Sequence, residues 1–194
     1  MNTSDSLSTC TAFDGHRRIA TGDLATVALA VKQAVDANAA GPVLIYSDAT
    51  GRLVDVDLRG TDADIVARLA PAEVAPPDDA APGARGRGRP KLGVVSREVT
   101  LLPRHWEWLA AQPGGASVAL RKLVEEARRA NEEQDRRRQR QEAAYAFMSS
   151  IAGDLPGFEE ATRALFAGDP DRFAECVAGW PADVRDHATR LAFA

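Results

Sequence analysis

The 194-residue chain is 45% hydrophobic, 27% charged and 6% aromatic, which excludes a disordered tail or a fibrous repeat and predicts at least one buried core. No run approaches ~18 apolar residues, so no membrane-spanning helix is expected, and Met1 to Thr9 lack the basic flank and apolar stretch of a secretion signal, which makes the cytoplasm the expected location. The net charge of -4 is unevenly spread: residues 1–84 hold 6 Lys+Arg against 12 Asp+Glu, residues 85–140 hold 14 against 7, and residues 141–194 hold 4 against 9. A basic centre between acidic flanks suits phosphate binding, and equally suits pairing of the centre with the flanks.

In chain order, a polar tail (residues 1–10) precedes a small α+β domain (residues 11–70). Thr11, Ala12 and Phe13, then His16 to Ala20, flank the turn signal Asp14-Gly15 and predict a β-hairpin. Thr21 or Asp23 caps a helix in which Leu24, Val27, Ala28, Val31, Ala34 and Val35 recur at helical spacing, and Gly41-Pro42 stops it. Two further strands are expected over residues 43–46 and 53–58, around a turn at Asp48-Ala49-Thr50-Gly51. A short helix starts at Thr61-Asp62 and runs through Leu69. This is a ββαββα unit.

Residues 71–93 carry five prolines and four glycines with almost nothing apolar before Leu92, the composition of a flexible linker whose second half is basic. A β-prone run over residues 94–102 ends at Pro103, which opens a helix through Trp106, Leu109 and Ala110. Gln112-Pro113-Gly114-Gly115 breaks it, and Ser117 caps a long helix to about Ala152, apolar at both ends and polar through residues 131–141. A C-terminal domain (residues 153–194) reads as three short helices with Phe158, Leu165, Phe166, Phe173, Val177, Trp180, Val184 and Leu191 as its core.

Arg85, Arg87, Gly88, Arg89, Pro90 and Lys91 form a short motif that resembles the AT-hook, a peptide that lies in the minor groove of A·T-rich DNA. That groove is narrow, negative and acceptor-lined, so extended arginines fit it, and glycine lets the backbone approach. A solubilising Arg/Gly linker has the same composition. The following segment, residues 94–152, orders strand, proline, helix, glycine turn and capped helix, and resembles a ribbon-helix-helix module. In that family two chains pair their strands into a ribbon that enters the major groove, while the second helix meets phosphate with its N-terminus.

The resemblance implies that Arg97 and Thr100 face DNA, that Ser117, Arg121 and Lys122 lie near phosphate, and that Val99, Leu101, Trp106, Trp108, Leu120 and Val124 form the dimer interface. Trp106 is expected in the core and Trp108 at a dimer seam. Glu98 and Leu102, on the face of Thr100, are poor DNA ligands, so a hairpin used only for dimerisation remains a second reading. Residues 136–140 are read as a salt-bridged, solvated stretch through the i,i+4 pairs Glu132 with Arg136 and Glu133 with Arg137.

Over most of its length the chain resembles domain of unknown function 2239, an uncharacterised bacterial family. The resemblance rests on Gly88-Arg89-Pro90-Lys91-Leu92-Gly93, Arg97-Glu98-Val99-Thr100-Leu101-Leu102-Pro103-Arg104-His105-Trp106, Gly157-Phe158-Glu159-Glu160-Ala161 and Trp180-Pro181-Ala182-Asp183. It implies a domain order and no activity. His16, His105 and His187 are scattered, His187 reads as a surface partner of Asp186, and Cys10 and Cys176 have neither metal-ligand spacing nor a nucleophile context, so no catalytic residue, metal or cofactor is expected. The expected function is a homodimeric DNA-binding protein, either a regulator or a nucleoid accessory. The alternative is a non-catalytic interaction protein whose basic segment pairs with acidic domains of its own or a partner chain.

Overall fold

The computed structural model describes residues 9–70, 95 and 97–194. These residues form a mixed α+β chain of seven helices and one three-stranded antiparallel sheet. They belong to two units: residues up to 71 with residues 133–194, and residues 72–132. The linker and its basic arm, residues 71–93, lie outside the described residues.

In the first unit β1 (Cys10–Asp14) and β2 (Arg17–Gly22) make the expected hairpin, and β3 (Val43–Ser47) pairs with the other edge of β1. The hairpin turns at Gly15-His16, one residue later than expected, with Gly15 at φ +56°. Cys10, assigned from sequence to the tail, instead opens β1 and is buried. Between the strands, α1 (Leu24–Asp36) is capped by Asp23, whose carboxylate accepts the Thr26 N–H at 3.0 Å. It ends before Gly41-Pro42 because Asn38 takes a left-handed conformation, φ 61°, and its N–H returns to Val35 O.

The fourth strand expected over residues 53–58 does not form. Leu53 makes a single bridge to Tyr46, and the Val54 N–H donates to Ile45 O at 2.8 Å. Beyond this Asp57 accepts from both the N–H and the guanidinium of Arg59, at 3.0 and 2.9 Å, a local arrangement that competes with a strand ladder. The Thr61/Asp64 capping box then starts α2 (Asp62–Leu69) as expected.

Alternation along β1 supplies two cores. Cys10 and Ala12 join Val27, Val31 and Ile45 beneath α1, while Phe13 points to the opposite face. There Phe13 and Tyr46 pack with Ala144, Phe147, Met148 and Ile151 at the end of α4 (Gly115–Ile151), and with α5 (Phe158–Ala167), α6 (Pro170–Val177) and α7 (Ala182–Phe193). The α+β and C-terminal segments, separate domains in the sequence reading, thus share one core. Phe166, assigned to that core, is 50% exposed because it lies one residue off the buried stripe Ala161, Ala164, Leu165.

In the second unit α3 (Pro103–Ala110) carries Pro103 in its first turn, and Gly114 at φ +85° and Gly115 at φ +75° turn the chain into α4. The long helix begins at Gly115, which puts Ser117 in its first turn rather than at its cap. Arg97 to Leu102 form no strand within one chain.

Candidate functional site

The DNA-contact residues named from sequence fall into two groups. Arg85, Arg87, Gly88, Arg89, Pro90 and Lys91 lie outside the described residues. Arg97, Thr100, Ser117, Arg121 and Lys122 are all exposed, and the Arg121 Nε donates to the Ser117 carbonyl one turn back at 3.1 Å. Of the interface residues, Val99, Trp106, Trp108 and Val124 are 54%, 41%, 52% and 64% exposed, while Leu101 and Leu120 are half-buried. Trp106, expected in the core, is therefore outside it. Among the described residues of this unit only Leu109 and Ala119 are buried hydrophobics, since two helices alone cannot enclose two indoles.

The basic stretch at residues 136–140 is satisfied by its own neighbourhood. Glu133 holds Arg136 at 3.4 Å and Arg140 at 3.2 Å, and Asp135 holds Arg138 at 2.9 Å. Arg137, expected to pair with Glu133, instead donates to Ala167 O at 3.0 Å and caps the end of α5; Arg140 reaches Ala194 O at 3.0 Å. The salt-bridged character holds, with some partners exchanged.

A polar cluster that sequence reasoning missed sits inside the first unit. His187 on α7 is fully buried, edge-on to Phe13 and Phe147 with ring centroids 5.4 and 4.5 Å away, while Asp186 pairs with Arg185 instead. The Arg190 Nη2 donates to His187 Nδ1 at 3.0 Å and to Asp48 Oδ2 at 3.0 Å. Asp48, in the turn after β3, also accepts the Thr11 hydroxyl at 2.9 Å, and Thr11 and Thr21 hydroxyls are 3.1 Å apart.

A guanidinium cannot accept, so Nδ1 is unprotonated and the ring proton sits on Nε2. That nitrogen lies 3.6 Å from Asp48 Oδ1, too far for a hydrogen bond, and is buried without a partner. Burial pushes the imidazole down to about 4, against the attraction of Asp48 and helped by Arg190 and Arg18. At neutral pH the ring is uncharged, so its approach to Asp48 is not an ion pair. The cluster ties α7 to β1 and to the turn after β3. The signal that could have found it is periodicity: His187 shares a helical stripe with Val184, Ala188 and Leu191.

Among the described residues no three His, Cys, Asp or Glu side chains group as metal ligands, and no helix is long and apolar enough to cross a membrane. Burial raises the Cys10 thiol further from ionisation. No curated protein and no solved structure matches the chain. A family model described as an uncharacterized protein conserved in bacteria, DUF2239, matches residues 9–192, and the chain belongs to that family.

Proposed function

We propose that the protein is a homodimeric DNA-binding protein of the bacterial cytoplasm, acting as a transcriptional regulator or a nucleoid-associated accessory. The observation that carries this reading is the hairpin of α3 and the first part of α4, which leaves Val99, Trp106, Trp108 and Val124 exposed in one chain. Such a hairpin gains a core by doubling, as ribbon-helix-helix chains do. Arg97, Arg121 and Lys122 are exposed in the same unit, and a helix N-terminus such as that of α4 favours phosphate. The AT-hook-like arm supplies the minor-groove contact in this reading, on sequence grounds. The neutralised stretch at residues 136–140 is left out of the DNA surface.

Fluorescence anisotropy of a labelled A·T-rich duplex across a salt series tests the proposal. Counterion release by the arm and hairpin cations of two chains gives a slope of log affinity on log salt of order -5 to -10. Arg87→Ala with Arg89→Ala weakens binding to A·T-rich more than to G·C-rich duplexes. No duplex binding at ~50 mM salt, where electrostatic contacts are strongest, overturns the proposal.

A further inference from the structure

A groove runs along the last part of α4 in the first unit, independent of the DNA reading. It is lined by Ala49, Thr50 and Arg52 of the turn after β3, by Ala143, Tyr145 and Ala146 of α4, and by Phe166 at the end of α5. The turn is pressed directly onto the helix. Gly51 is buried at φ +64°, and a Cβ there would run into the Ala143 carbonyl oxygen. Tyr145 and Phe166 touch with ring centroids 5.6 Å apart and planes tilted 56°, yet are 41% and 50% exposed. Two large aromatic rings are thus left open to water in a groove whose turn is fixed by backbone packing.

Charge distinguishes this groove from a bare apolar face. Arg52 is exposed, its N–H and carbonyl are used in the turn, and its guanidinium has no ion-pair or hydrogen-bond partner among the described residues. The one carboxylate in the lining, Glu142, is drawn to Arg138 at 4.0 Å. The groove has a volume of about 720 Å³, within the range of roughly 300–1,000 Å³ typical of small-molecule sites.

We infer that this groove binds a small molecule with a flat apolar body and one anionic group, the ring lying against Tyr145 and Phe166 and the anion meeting Arg52. An offset or edge-on aromatic contact supplies the apolar part, and an otherwise unpaired guanidinium supplies the preference for a carboxylate.

The test is calorimetric titration of the full chain with 2-naphthoate and with its neutral analogue 2-naphthamide. The expected result is one naphthoate per chain with a dissociation constant of roughly 10⁻⁴ to 10⁻³ M, and the amide weaker by about fivefold. Arg52→Ala brings naphthoate down to the level of the amide and leaves the amide unchanged. Phe166→Ser, at an exposed ring, weakens both by about tenfold without altering the circular dichroism of the fold. Val124→Ser, on the exposed hairpin face, changes neither. The inference is overturned by absence of saturable binding, by equal binding of acid and amide, by insensitivity to Arg52→Ala, or by loss of binding on Val124→Ser.

Discussion

Replacing His187 by Gln removes the titrating group from the buried cluster while keeping a polar side chain of similar reach, and the pH dependence of the cost reports what the cluster does. In the folded chain burial and the guanidinium of Arg190 hold the ring down to about 4, against 6.5 unperturbed. A base with a depressed folded pKa takes up its proton preferentially when unfolded, so the wild-type chain loses stability as pH falls from 6.5 towards 4. The gap between the two values corresponds to roughly 3 kcal/mol, most of it lost by pH 4.5. The Gln variant has no such loss. Urea unfolding of both proteins at several pH values between 7 and 4.5 should therefore show the variant less stable at pH 7, by about 1–3 kcal/mol for imperfect packing against Phe13 and Phe147, and the gap closing or reversing at pH 4.5. The carboxylates common to both proteins cancel in the difference. A gap that stays constant over the whole range would refute a buried ring held neutral in the folded chain.

Two other substitutions probe separate parts of the molecule. Gly51→Ala forces a side chain onto the Ala143 carbonyl at a positive φ, and urea unfolding should show a loss of about 3 kcal/mol or more; a loss under 1 kcal/mol would mean that the turn is free to lift from α4. Val124→Glu places a charge on the exposed hairpin stripe; if that stripe closes the proposed dimer, light scattering at micromolar concentration should show dissociation at least about tenfold easier than wild type, whereas a solvent-facing valine would tolerate the change silently.

The local elements were legible where one side chain sets a boundary. Thr61 and Pro103 mark helix starts in the sequence and do so in the structure, and of the two candidates Thr21 and Asp23 it is Asp23 that caps α1. Strand pairing was less so. Leu53 to Leu58 has the composition of a strand, but whether it joins the sheet depends on the Asp57–Arg59 interaction and on a core shared with distant residues. The exposure of Trp106 follows from how little apolar surface two helices can hide, which side-chain type alone does not reveal. His187 was misread because its neighbour Asp186 offered a partner in sequence, whereas Asp48 and Arg190 reach it only through the fold. The Tyr145–Phe166 pair, 21 residues apart, left no trace in either local pattern.

The two-faced β1 strand also bears on how the chain acquires its structure. Cys10 and Ala12 find their partners within the first few dozen residues, beneath α1, but Phe13 must wait for Phe147 at the end of α4 and for His187 on α7. During synthesis the hairpin and α1 can assemble early while the opposite face of the sheet, with Phe13 and Tyr46, stays bare until the end of α4 is made and is completed only with α7. Contacts of such long sequence separation slow folding and leave an apolar sheet face available to wrong partners in the meantime. A nascent chain interrupted before the end of α4 would keep one sound face and one adhesive one, the state in which a holding chaperone would bind it.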